Sequence, residues 1–290
     1  MDPLVIVFGL GVGILVGLTG IGGGSLMTPL LVIVIGTKPV VAVGTDIAYG
    51  AITKTLGGWR HFRSGTVDMG LSKWLAFGSV PGSLAGVILI ENVEALHGEG
   101  LLWGVAFALL LTATATLSRA LFVRDPKEHH SHPLDGRTKA TAVAIGALLG
   151  LILGVTSVGS GALVGLVLIL YFRLTPHRVV GTDVFHAALM LWSAALAHVV
   201  GDNIDYALMG TILIGSLPGV WIGERLVHRV PAAALRPALG CVMLASGLGV
   251  LTKVDVDIPA YVIVGVPILI GVGAYALNRS RARAAAVSTP

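Results

Sequence analysis

Two short stretches rich in glycine and hydroxyl side chains, and two isolated aspartates beyond them, are the residues of this chain best suited to chemistry. The first stretch is Gly17-Leu18-Thr19-Gly20-Ile21-Gly22-Gly23-Gly24-Ser25; the second is Gly154-Val155-Thr156-Ser157-Val158-Gly159-Ser160-Gly161. Glycine destabilises a helix by about 1 kcal/mol relative to alanine, so five glycines between positions 17 and 24 break the helix they interrupt. A helix that restarts after such a break presents N–H groups with no partner of their own, and these bind oxyanions. Thr19, Ser25, Thr156, Ser157 and Ser160 add hydroxyl donors, while Gly20, Gly22, Gly23, Gly24, Gly159 and Gly161 let backbone approach a ligand closely. These eleven positions form the candidate anion-binding set. Close helix packing is the other use of such glycines, but two breaks at matching places exceed what packing requires.

Asp46 and Asp183 each follow a Gly-Thr pair inside a later apolar segment. An unpaired acid at the centre of a membrane helix costs at least about 2.5 kcal/mol, and acids that persist there pair, relay protons or hold a cation. Proton or sodium coupling through Asp46 and Asp183, with Thr45, Thr182 and His186 beside them, is the expectation. The alternative is a structural acid that caps the broken helix or accepts its hydroxyls. Lys54 is expected to snorkel to the nearby membrane edge, and His61 and His198 to sit at the interface. Pro81-Gly82 and Pro218-Gly219 interrupt later helices as hinges or static kinks. His129, His130 and His132 belong to a solvated loop rather than a metal site.

The elements that position these residues follow from composition. The 290-residue chain is 55% hydrophobic and 12% charged, with mean hydropathy +0.90. Soluble domains carry roughly 25% charged residues, so this is an all-α integral membrane protein. Its net charge of +4 lies in short clusters between apolar runs, which excludes a nucleic-acid footprint. A lone cysteine, Cys241, excludes an internal disulfide. No metal or other cofactor is expected.

A membrane span needs about 20 apolar residues. Spans are predicted at 40–59, 71–90, 101–122, 179–199, 206–226 and 235–251, with an additional transmembrane helix at 258–278. Runs 4–35 and 140–172 are too long for one crossing and are cut near their centres. Arms of about 14 residues rise only some 21 Å each, so each run reads as a re-entrant hairpin. With both runs as hairpins, the basic loops (Arg60 to Lys73, Arg119 to Lys139, Arg173 to Arg178, Arg225 to Arg236) and the tail 279–290 fall on one side. Loops holding Glu91, Glu94, Glu99, Asp202, Asp205, Asp255 and Asp257 fall on the other. Positive residues mark the cytoplasm, which puts the N-terminus outside and the C-terminus inside.

An internal repeat fits that plan. Residue 19 maps to 156, an offset of 156 − 19 = 137 that holds without a gap from residue 17 to 86, with about 20 of 70 positions identical. Gly44-Thr45-Asp46 maps onto Gly181-Thr182-Asp183, and Gly78-Ser79-Val80-Pro81-Gly82 onto Gly215-Ser216-Leu217-Pro218-Gly219. The loops after the matched spans are basic in one half and acidic in the other, so the repeats are inverted. The first repeat is 1–123, a cytoplasmic loop occupies 124–139, and the second repeat is 140–252.

The run Gly17-x-x-Gly20-Ile21-Gly22-Gly23-Gly24, followed by Pro39, Gly44-Thr45-Asp46 and Gly78-x-x-Pro81-Gly82, resembles the sulfite exporter TauE/SafE family of bacteria and archaea. The resemblance covers nearly the whole chain. It implies secondary transport of a small inorganic or organosulfur anion, such as sulfite or a sulfonate, across the cytoplasmic (inner) membrane, with the lipid bilayer as surroundings. A passive anion channel of the same architecture is the alternative. The sequence lacks metalloprotease, nucleophile-base and nucleotide-binding motifs, so neither an enzyme nor direct ATP drive is expected. Gly23→Val is expected to abolish anion flux in vesicles while leaving the folded protein in the membrane. Unaltered flux would count against the backbone cradle.

Overall fold

The computed structural model describes residues 3–19, 24–122, 134–226 and 232–287. Among them every regular element is helical. Helix α1 spans Pro3–Thr19, and α2 (Gly24–Leu30) runs on into a π-helical turn, Leu31–Ile35. Helices α3 (Pro39–Arg63), α4 (Met69–Asn92) and α5 (Glu99–Phe122) follow. Then come α6 (Gly136–Thr156), α7 (Leu163–Leu170), α8 (Pro176–Val200), α9 (Tyr206–Leu226), α10 (Ala232–Leu251) and α11 (Ala260–Val287).

Six of these helices are long and apolar enough to cross a membrane: α4, α5, α6, α8, α9 and α11. Helix α3 is not among them because it carries Asp46, Lys54 and a basic end. Its polar residues Thr45, Asp46 and Lys54 are buried in the protein, the arrangement required of polar side chains surrounded by lipid. Local signals set the helix starts. Proline at the first position of α3 and α8 has its φ already helical and lacks only an N–H that would be unsatisfied there. Asp68, Asp135 and Asp205 accept from the backbone N–H three residues on, capping α4, α6 and α9. The hydrogen bonds from Thr138 hold the exposed Asp135 carboxyl below the usual carboxylate range.

Four helix pairs organise the packing: α1 on α9, α4 on α6, α3 on α8 and α5 on α10. Between the first two pairs the backbones touch. Gly9, Gly13 and Gly17 of α1 face Gly215, Gly219 and Gly223 of α9, and Gly146, Gly150 and Gly154 of α6 face Gly78, Gly82 and Gly86 of α4. A Cβ on Gly13 would stand 2.3 Å from the Ser216 carbonyl oxygen, and one on Gly150 would stand 2.3 Å from that of Ser79. With lipid on the outside there is little hydrophobic drive between helices, so close van der Waals approach along small residues replaces it. Gly82 and Gly219, each next to a helix-interrupting proline, are locked into these stripes. That favours static kinks over hinges at those positions.

The largest core cluster lies where α2, α3, α5, α6 and α8 converge, around Met27, Tyr49, Leu109, Leu153 and Met190. Helix α11 packs chiefly on α10 and exposes many large apolar side chains between Tyr261 and Leu277. Gly13→Leu and Gly150→Leu are each expected to lower stability in detergent by about 1–3 kcal/mol, the usual cost of overpacking. Gly11→Leu, on the same helix with open space around it, should leave the melting temperature unchanged. Differential scanning fluorimetry of the three variants makes the comparison.

Candidate functional site

Helices α3 and α8 carry the two Gly-Thr-Asp triplets into the interior, and each residue of a triplet has its own task. The glycine allows contact: a Cβ on Gly44 would lie 2.3 Å from the Asn203 carbonyl oxygen, and one on Gly181 would lie 2.7 Å from that of Thr66. The threonine then accepts from backbone. Asp205 N donates to Thr45 Oγ1 at 3.0 Å, and Asp68 N donates to Thr182 Oγ1 at 2.9 Å. Since Asp205 and Asp68 are the caps of α9 and α4, each threonine fixes the start of a helix far away in sequence. Both hydroxyls are fully buried. Each hydroxyl therefore has a backbone donor as one of its partners.

The aspartates turn toward the second break. Asp46 Oδ2 accepts from Thr28 Oγ1 at 2.5 Å and from Ser157 Oγ at 2.9 Å, while its Oδ1 is buried with no hydrogen-bond partner among the described residues. Asp183 Oδ1 accepts from Gly161 N at 3.2 Å. Both carboxyls are buried, at 1% and 4% exposure.

The break itself is a compact turn. Helix α6 ends where Ser157 enters the left-handed region at φ +59°, its N–H donating to Leu153 O at 2.7 Å. Gly159 and Gly161 follow at φ +120° and +98°, which residues with a Cβ rarely adopt. Thr156 Oγ1 donates to Ile152 O at 2.7 Å and accepts from Val158 N at 3.2 Å, so the turn uses that hydroxyl for its own closure. Ser160 is buried in the turn. The first break approaches it directly. A Cβ on Gly24, the first residue of α2, would lie 2.2 Å from the Ser157 carbonyl oxygen. Ser25, next along, is buried, and its Oγ has no hydrogen-bond partner among the described residues. Thr19 ends α1, and Gly20, Gly22 and Gly23 lie outside the described residues, as do His129, His130 and His132.

One sequence expectation is corrected. Lys54 does not snorkel: it is 6% exposed, its Nζ has no hydrogen-bond partner among the described residues, and Asp183 lies within its electrostatic reach. His198, in the last turn of α8, is fully buried within the protein, its ring beside Gly44. His186 is also buried, with Nε2 2.8 Å from Ser79 Oγ. Thr28 was missed in sequence because its counterpart at 165 is glycine. Ser79 gave a signal through its repeat of Ser216, although that motif was read only for its proline.

The sulfite exporter TauE/SafE family profile matches residues 5–250 of this chain. The chain belongs to that family. Among similar proteins is the probable membrane transporter protein YjnA of Bacillus subtilis (strain 168), 37% identical over 253 residues, covering 86% of this chain and 99% of that one. Another is the probable membrane transporter protein YdhB of the same organism, 24% identical over 238 residues, covering 81% and 94%. A probable membrane transporter protein of Xylella fastidiosa (strain Temecula1 / ATCC 700964) is 27% identical over 261 residues, covering 87% and 97%. No solved structure matches the chain. The TauE/SafE chain described here is therefore a multi-pass membrane protein of a transporter family and not an enzyme.

Thr45→Val and Thr182→Val keep side-chain shape but strand the Asp205 and Asp68 N–H groups. Each is expected to cost about 1–3 kcal/mol, seen as a lower melting temperature and faster amide exchange at the start of α9 or α4. Serine at the same positions should restore both.

Proposed function

We propose that the protein is a secondary active transporter of a small sulfur-containing oxyanion, sulfite or a sulfonate, coupled to a proton or sodium gradient and working by alternating access. The observation that carries this reading is the contact between the breaks, Gly24 against Ser157, with Asp46 and Asp183 both bonded to the second break. Membrane transporters bind substrate and coupling ion where discontinuous helices of two repeats meet near mid-depth. Backbone freed from a helix is tolerated there only inside protein or beside a water-filled cavity. The substrate set is Thr19, Gly20, Gly22, Gly23, Gly24, Ser25, Thr156, Ser157, Gly159, Ser160 and Gly161. Coupling falls to Asp46 and Asp183, with Thr45 and Thr182 beside them and His186 within a turn of Asp183.

The architecture proposed is two inverted repeats, each a re-entrant hairpin followed by three spans, with α11 appended. Several features support it. The starts of α3 and α8, Pro39 and Pro176, and those of α4 and α9, Met69 and Tyr206, are each 137 residues apart. The Thr45–Asp205 and Thr182–Asp68 hydrogen bonds exchange partners under the same offset. So do the α1–α9 and α4–α6 glycine stripes. Basic residues between α3 and α4 and acidic ones between α8 and α9 support an outside N-terminus and a cytoplasmic C-terminus.

Purified protein in liposomes should move labelled sulfite or taurine only when a proton or sodium gradient is imposed, and collapsing the gradient should cut the initial rate about tenfold or more, within the range of ordinary coupling free energies. Asp46→Asn should remove the gradient dependence. Flux indifferent to both gradients would make the protein a passive channel. Flux of Asp46→Asn that stays proton-dependent would exclude Asp46 as the carrier.

A further inference from the structure

The donors expected to receive the substrate are already in use, and a carboxylate uses them. Gly161 N, just before α7, is the kind of backbone donor an oxyanion takes, yet it donates to Asp183 Oδ1 at 3.2 Å. On α3, which packs along α8, Lys54 lies within electrostatic reach of the same carboxylate without forming a salt bridge to it; it is 6% exposed and has no hydrogen-bond partner at Nζ among the described residues. A buried ammonium that has found no partner is costly and suits a ligand of opposite charge. The lysine has no counterpart in the other half, where position 191 is leucine. The backbone donor and the carboxylate are thus bonded to each other, with a buried ammonium within electrostatic reach of the pair.

We propose that Asp183 is a tethered stand-in for the transported oxyanion, holding the Gly161 amide opposite Lys54 until substrate takes both. This rests on the transport reading given above. An incoming oxyanion cannot share those donors with a charged Asp183, because Asp46 is also near the break and the positive groups acting there, Lys54 and Arg119, already face two carboxylates. The charged groups acting on Asp183 are Lys54 of α3 and Arg119 of α5; His186 lies one turn along α8, and Asp46 reaches the break through Ser157. When substrate enters, the Gly161 N–H···Oδ1 bond breaks and the amide donates to the substrate oxygen instead. The displaced carboxylate then takes one proton from the bulk buffer, whose acid form becomes its base, and forms an O–H bond; for a singly charged oxyanion such as hydrogen sulfite the buried charge is unchanged. Substrate binding and proton uptake thereby become one event, and the anion travels with a proton.

A competitor tied to the site lowers apparent affinity by the fraction of time it occupies the place. Titration of the full-length protein in detergent with sulfite, by calorimetry in two buffers of different ionisation enthalpy, tests this. Wild type should take up close to one proton per sulfite bound. Asp183→Asn should bind sulfite about tenfold or more tightly, with no proton uptake. Lys54→Met should weaken sulfite about tenfold or more, and Lys54→Arg should restore most of the loss. Difference infrared spectra of wild type on adding sulfite supply a check that needs no variant: a protonated-carboxyl band should appear. Unchanged or weaker sulfite binding by Asp183→Asn, or wild-type binding with neither proton uptake nor that band, overturns the stand-in role while leaving gradient-driven transport untouched. If wild type and Asp183→Asn alike bind no sulfite and liposomes show no flux, the transport reading falls and this proposal falls with it.

Discussion

Polar backbone released inside an apolar bundle must be satisfied by the protein itself, and the rest of this structure depends on how that is done. Helices end at Thr19 and Thr156 and resume at Gly24 and Leu163. At the second interruption every identified partner comes from a specific side chain or turn: Thr156 serves Val158, Asp183 serves Gly161, and Ser157 gives its hydroxyl to Asp46. A buried amide or hydroxyl left unmade costs about 1–3 kcal/mol, so these residues hold the break in shape whatever else they do. The acids are therefore structural and chemically available at once, since a carboxylate that caps a break can also release it.

Close helix approach makes this arrangement possible. The facing glycines of α1 with α9, and of α6 with α4, bring backbones together and carry the first arm of each interrupted segment to the core. Their second arms lie near α3 and α8, the helices that hold Asp46 and Asp183. The Gly-Thr-Asp triplet joins the two levels of organisation. Its first two residues lock a distant helix start and its third reaches the break, so a displacement at one is felt at the other.

Much of this could be read from residue order. Hydropathy and low charge gave a helical membrane protein, and the glycine clusters marked where α1 and α6 stop. Asp46 and Asp183 stood out because an acid within an apolar run is costly and must have a reason. The backbone bonds of Thr45 and Thr182 could not be read, because the amides they accept from lie 160 and 114 residues away. Lys54 was misread for a related reason: four methylenes can reach the membrane edge or fold inward, and only packing against α8 decides which. The glycine stripes were present at every fourth position, but their partners lie on helices remote in sequence, so their use as a seam became apparent only in three dimensions.

The pairing of α1 with α9 has a consequence for biogenesis. From Thr19 to Tyr206 is 206 − 19 = 187 residues, which at about 5–20 residues per second takes roughly 10–40 s to synthesise. For that interval Gly9, Gly13 and Gly17 line a bare groove in a nascent chain, with no helix yet made to fill it. The insertion machinery, or lipid, must shield the groove until the late helix emerges, so α1 waits for its partner while seven intervening helices are made.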